Sequence, residues 1–107
     1  MKMITKQIEN SIPALYSTEN TAEAKKAIAV KFFTPWTSWT WYAVEGERRE
    51  DGDFLFFGLV DGQDREWGYF TLSQLESVTG PMGLKIERDR HFENKTIADL
   101  NWRDREN

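Results

Sequence analysis

The chain has 107 residues, and its 14 basic and 18 acidic residues give a formal net charge of −4. That length corresponds to one domain, and the lack of cysteine excludes disulfides, thiolate nucleophiles and cysteine-ligated zinc. No apolar run approaches the roughly 20 residues of a membrane span. Net acidity disfavours nucleic acid as a partner, because binding to a phosphate backbone depends on clustered lysine and arginine.

Acidic residues are concentrated at two places where the sequence predicts hairpin turns. The first group is Glu45, Glu47, Glu50, Asp51 and Asp53, and the second is Asp61, Asp64 and Glu66. Charged side chains normally stay in water, so we expect both groups to be solvated. A DNA-mimicking stripe is disfavoured, because consecutive turns lie at opposite ends of a meander and arginines interrupt both groups.

Residues 1–27 are predicted to form an N-terminal segment of helix and loop. Apolar residues at helical spacing indicate a short helix over residues 4–11, which Pro13 ends. A weaker signal indicates another helical turn within residues 22–27. The first ten residues lack the apolar core of a secretory signal.

Residues 28–72 predict a meander of four strands. Residues 28–34, 38–47, 54–60 and 65–72 are rich in aromatic and β-branched side chains or alternate at period two. The pairs Asp51-Gly52 and Asp61-Gly62 mark hairpin turns between them.

Residues 73–107 predict a helix, an edge strand, a last short helix and a tail. Ser73 and Glu76 have capping-box spacing, which places a helix over residues 73–78. Residues 84–92 alternate as an edge strand does, and Thr96 can cap the last helix. The expected fold is therefore α+β: a four- to five-stranded antiparallel meander, strongly curled, with short helices at the N-terminus, after the fourth strand and near the C-terminus.

Adjacent aromatic residues in the strands require both sheet faces to be apolar. Three arrangements would account for this: the sheet curls so that one face lines a half-barrel core, the N-terminal helix packs on one face and the C-terminal segment on the other, or one aromatic face stays open and binds a partner. Trp36 follows Pro35 in a turn and is the ring most expected to be exposed, followed by Trp39 and Trp102. The predicted partner-binding residues are Trp36, Trp39, Trp41, Arg88 and Arg90. A homodimer through an aromatic sheet face is a further arrangement that this pattern allows.

A catalytic interpretation depends on Glu87, Asp89 and His91, which alternate in the last predicted strand. Carboxylates beside the only histidine could bind a metal ion or transfer protons. A charged edge strand gives the same pattern for solubility and is the favoured explanation. We therefore predict no catalytic residues, no metal site and no cofactor.

Five segments occur in a characteristic order: KFFTP (31–35), WTWYA (39–43), FFGLV (56–60), GYFTLSQLESV (68–78) and GPMGLKIERD (80–89), followed by Phe92. In this order and spacing the chain resembles a small uncharacterised family, a domain of unknown function common on plasmids, phages and integrated elements of bacteria. The resemblance covers roughly residues 12–100. It implies a bacterial or phage cytoplasmic setting and supplies no catalytic residues.

Three functions are weighed on this basis. The favoured hypothesis is a non-enzymatic protein-interaction module, an accessory or inhibitor protein of a mobile element acting on a host protein. The second is a single-stranded nucleic-acid binder that uses aromatic stacking with Arg88 and Arg90. The third is a metal-dependent enzyme that uses Glu87, Asp89 and His91.

Overall fold

A computed structural model describes residues 2–100. Its centre is one five-stranded antiparallel sheet in the order β4-β3-β2-β1-β5. The strands are β1 (Val30–Phe33), β2 (Thr40–Arg48), β3 (Phe54–Asp61), β4 (Arg65–Thr71) and β5 (Glu87–Arg88). The helices are α1 (Lys6–Ser11) and α2 (Leu72–Ser77), and single 3₁₀ turns occur at Glu23–Lys25, Pro81–Gly83 and Ile97–Asp99. The α+β class and the four-strand meander predicted from the sequence are confirmed.

The first face of the sheet carries the larger aromatic core. Phe32, Phe56 and Phe70 come from three different strands, and the Phe56 ring lies 5.4 Å from Phe32 and 5.3 Å from Phe70. Leu75 of α2 packs into this core, and Ile8 of α1 lies against it. Burial of such rings removes roughly 150–250 Å² each from water, so this face is a main source of stability.

The second face carries a separate core built around Tyr42, Val44 and Leu59. The C-terminal part of the chain covers it, because Ile97 is buried there and Phe92 packs against Tyr42 with ring centroids 6.1 Å apart. The sequence prediction that both faces are apolar is therefore confirmed.

The strongly curled sheet expected from the sequence is wrong: the sheet is neither closed nor strongly curled. Curling would be needed only if one face had no cover. Here helices cover the first face and the segments near residues 28 and 97 cover the second. The sheet therefore buries its rings on both sides without bending over itself.

The segment between α1 and β1 passes from the first face to the second beside β2. The Gly46 N–H donates to the Pro13 carbonyl at 2.9 Å, just beyond the point where pairing between β1 and β2 ends. Next to it the register of β2 against β3 shifts between Ala43 and Glu45, which is a β-bulge. Beyond this crossing, residues 16–26 lie near the second face.

Two local predictions differ from the structure. The cap of α2 is Thr71 with Gln74, not Ser73 with Glu76. The competing hydroxyl of Ser73 donates instead to Asp53 Oδ2 at 2.6 Å. The last strand contains only Glu87–Arg88 rather than residues 84–92, because the chain turns directly after it.

Candidate partner-binding surfaces

The predicted tryptophans gather at the end of the sheet where the turn between β1 and β2 lies. Trp39 and Trp41 are neighbours, with ring centroids 5.9 Å apart. The Trp39 ring lies on Gly62, where a Cβ atom would come within 2.4 Å of it. Trp39 keeps 38% of its surface exposed, whereas Trp41 is half-buried against the first core. The structure thus brings two of the three predicted tryptophans together.

Trp36 is not the most exposed ring, contrary to the sequence expectation. It is half-buried, because its indole packs on the first core and lies flat on Gly80, whose added Cβ would meet the ring at 2.4 Å. Trp102 lies outside the described residues. Trp36 therefore supports the loop that contains Gly80, and that loop presents the exposed apolar surface.

This loop, residues 78–84, displays three apolar side chains in an ordered backbone. Val78, Met82 and Leu84 are all exposed, and Met82 is fully so. A bridge between Thr79 and Lys85 closes the base of the loop. Met82 has a φ of 58°, a conformation that costs a residue other than glycine or asparagine about 1 kcal/mol or more. We call these three side chains with the supporting Trp36 the 78–84 surface.

The two predicted arginines lie in β5 and in the turn that follows it. Arg88 is opposite Phe32 in the sheet, and its Nε donates to the Lys2 carbonyl at 3.1 Å. The cross-strand row continues from Phe32 to Trp41, so the backbones of Arg88 and Trp41 are separated by two strand spacings, about 10 Å. Arg90 is exposed in the turn after β5.

The predicted acid–histidine set is not assembled. Asp89 pairs with Lys31 at 3.5 Å, and its Oδ1 accepts the backbone N–H of His91 at 2.9 Å. This Asp–His contact shapes a turn, so Glu87, Asp89 and His91 do not alternate along one strand. Among residues 2–100, no three acidic or histidine side chains are grouped so that they could hold a metal ion.

A groove on the second face was not predicted from the sequence. Its volume is about 390 Å³, and its aromatic wall is Tyr16, Phe57, Trp67 and Tyr69. Phe57 stacks on Trp67 at 5.7 Å and contacts Tyr69 at 5.0 Å between ring centroids. A hydrogen bond to Tyr16 raises the pKa of Tyr69. The two tyrosines thus join the N-terminal segment to β4.

The polar wall of the groove contains a buried carboxylate. Glu45 is only 4% exposed, so the expectation that it belongs to a solvated turn is wrong; Asp61 is buried as well. Glu45 accepts hydrogen bonds from the N–H of Tyr16 at 2.7 Å, from the N–H of Thr18 at 3.1 Å and from the Thr18 hydroxyl. These bonds provide the partners that a buried charge requires. Their donors lie about thirty positions away in sequence, so no local signal could have revealed them.

Lys26 is the cation of this wall, and Glu19 and Glu23 are its exposed acids. Buried Lys26 directs its Nζ to Thr18, donating to the hydroxyl at 2.8 Å and to the carbonyl. The groove is thus lined by three carboxylates and one ammonium group, and the ammonium is already bonded to Thr18. We call the four rings and these four charged side chains the acidic–aromatic groove.

In the comparison with known families, a family model matches residues 3–101. The chain belongs to the DUF2958 family. The description of this family, a protein of unknown function, confirms the resemblance to a domain of unknown function and assigns no activity. No curated protein and no solved structure matches the chain significantly. The DUF2958 match spans every strand described above, so both surfaces lie within the family's domain.

No helix in the described part of this DUF2958 domain has the length and apolar character needed to cross a membrane.

Proposed function

We propose that this chain is a non-enzymatic protein-interaction module that binds a partner protein through the 78–84 surface. In the setting that its sequence motifs suggest, it is an accessory or inhibitor protein of a mobile element or phage acting on a host protein. The observation that carries the proposal is the display of Val78, Met82 and Leu84 in water on a loop with a fixed backbone. Exposed apolar side chains that are clustered are typical of contact sites.

Hydrogen bonds within the loop and packing beneath it brace its backbone. The Gly80 N–H donates to the Leu84 carbonyl at 2.7 Å, and the Lys85 ammonium donates to the Thr79 hydroxyl at 2.6 Å. Trp36 fills the space beneath Gly80. A preformed loop loses little conformational entropy on binding, so each apolar contact contributes more fully to affinity.

The test removes the apolar side chains without changing the loop. Asn readily adopts the backbone conformation of Met82, so a Met82→Asn/Leu84→Ser double variant keeps the loop shape. The immobilised wild type is expected to retain a protein partner from a bacterial lysate, and the double variant to bind it at least about tenfold more weakly. The matched control is Gln7→Ala/Asn10→Ala, which changes two exposed side chains of α1 outside both the 78–84 surface and the acidic–aromatic groove and should retain the partner.

Several outcomes contradict the proposal. The first is that the wild-type chain captures no protein. The second is that the captured partner binds the double variant and the control variant equally well. Binding of a labelled single-stranded oligonucleotide at low salt, lost in Arg88→Ala/Arg90→Ala, would favour nucleic acid instead. Sedimentation of the same samples detects self-association, and a dimer abolished by Met82→Asn/Leu84→Ser would assign the surface to a second copy of the chain.

A further inference from the structure

We propose that the acidic–aromatic groove and the free edge of β4 together bind an extended polypeptide segment of a partner protein, with an arginine or lysine side chain of that segment in the groove. This inference concerns the opposite face from the 78–84 surface and does not depend on it. It rests on the position of β4, on the charge of the groove and on its rings.

The strand β4 offers an edge that another strand can join. It lies at the end of the sheet, so in the described part of the chain β3 is its one strand neighbour. Edge strands are normally protected by charged residues, but the charges of β4 are confined to Arg65 and Glu66. Positions 67–70 (WGYF) carry none. An incoming segment can therefore bond to the outward N–H and C=O groups of β4.

The geometry of such an added strand brings its side chains to the groove. Trp67 and Tyr69 project to the second face, opposite Leu59 and Phe57 of β3. A new strand would lie about 4.7–4.9 Å beyond β4, with alternate side chains on that same face. Those side chains would extend beside Tyr69, which is 51% exposed, and along the open side of the groove.

The charge of the groove selects a cation among the side chains that could enter. Glu19 and Glu23 are exposed at its rim, and Glu45 lies in its wall. The positive group of the wall, Lys26, is bonded to Thr18, and Arg65 on the same face lies 3.7 Å from Asp61. The uncompensated charge is negative, and it therefore attracts a guanidinium or ammonium group.

The rings favour the same ligand. Trp67 and Tyr69 flank Phe57, and aromatic faces attract lysine and arginine cations within about 6 Å. The apolar stem of either side chain can also pack on these rings while its charged end reaches the carboxylates. An acidic or purely aliphatic side chain would use only part of this wall.

The experiment selects peptides from a displayed library of random sequences on the folded wild-type chain. We expect enrichment of sequences with arginine or lysine at alternate positions. A selected peptide, made synthetically, should perturb the amide NMR signals of residues 65–71. Its dissociation constant should rise about twofold to thirtyfold in Glu19→Gln/Glu23→Gln, since two exposed ion pairs are lost.

The matched control is Glu50→Gln/Glu76→Gln, which changes the net charge equally at two exposed positions away from β4 and the groove. It should leave the affinity within about twofold, because only long-range, screened charge is altered. The proposal is overturned if the selection enriches no peptide, if enriched peptides lack a cationic residue, if both double variants weaken binding equally, or if the perturbed amides lie in the 78–84 loop.

Discussion

Two glycines that face each other across β3 and β4 should respond oppositely to the same substitution. A Cβ atom on Gly58 would lie 2.0 Å from the Tyr42 carbonyl oxygen and 2.8 Å from the Cα of Ala43. Its cross-strand partner Gly68 has no neighbouring heavy atom within 4 Å of its Cβ position. Gly58→Ala therefore forces the backbone of β2 away from β3, whereas Gly68→Ala adds a methyl group to open space.

The expected changes in the free energy of unfolding depend on which atoms must move to make room for the new methyl group. Overpacking costs about 1–3 kcal/mol when neighbouring side chains can adjust. At Gly58 the obstacle is the backbone of a central strand, so we expect a loss of at least about 3 kcal/mol in the free energy of unfolding. Gly68→Ala should be neutral or stabilise by up to about 1 kcal/mol, because alanine restricts the unfolded chain.

The assay is urea unfolding followed by tryptophan fluorescence, with thermal unfolding as a second measurement. For a domain of this size, a loss of about 3 kcal/mol lowers Tm by roughly 10 °C or more. The reasoning is refuted if Gly58→Ala unfolds within about 0.5 kcal/mol of the wild type. Equal destabilisation by the two variants would refute it as well, because it would show that the close approach of β2 does not decide the outcome.

Three further predictions concern the polar contacts. Glu45→Ala should destabilise the protein by about 3 kcal/mol in urea unfolding, because three hydrogen bonds from Tyr16 and Thr18 lose their charged acceptor; an unchanged midpoint would contradict this. Hydrogen bonds from Ser73 and, to a smaller extent, from the Phe54 N–H lower the pKa of Asp53. The ionised Asp53 carboxylate therefore stabilises the fold above the ordinary pKa of 3.8, and this stabilisation is lost as the pH falls below that value. The urea midpoint of Asp53→Asn should therefore fall less between pH 5 and pH 2 than that of the wild type, and parallel curves would count against the argument. The hydrogen bond to Tyr16 raises the pKa of Tyr69, so the stability that this bond contributes is complete below pH 10.0 and is lost as the pH rises through the pKa of Tyr69 in the folded protein. Ultraviolet titration of Tyr16→Phe should show Tyr69 ionising at lower pH than in the wild type, and an identical titration would contradict the contact.

The four strands of the meander could be predicted from the sequence because their signals are local. Gly52 shows this most directly: the Asp-Gly pair predicted a hairpin, and Gly52 has the positive φ of 91° that such a turn uses. The cap of α2 could not be predicted uniquely. Thr71 with Gln74 and Ser73 with Glu76 have the same spacing, and only the distant Asp53, which binds the Ser73 hydroxyl, decides between them.

The candidate sites depended more strongly on tertiary contacts. The exposure of Trp36 could not be inferred from Pro35, because Gly80, far along the chain, leaves room for the ring. Glu45 belongs by sequence to an acidic turn, yet segment 16–18 folds over it. The glycines and the proline of the GPMG segment (80–83) in this loop are typical of a chain reversal, but they do not indicate that Met82 is displayed in water.

The junction between the residues just before β1 and the residues that follow β5 has a consequence for how the protein is made. Ala27 pairs with Thr96, and the Ile28 N–H donates to the Lys95 carbonyl at 2.9 Å. The hairpins of the meander connect neighbouring parts of the chain and form early, whereas this junction joins distant ones and forms late. During synthesis, the second sheet face consequently stays open to solvent until the ribosome has released the residues around Ile97, and in that interval the nascent domain is most in need of a chaperone.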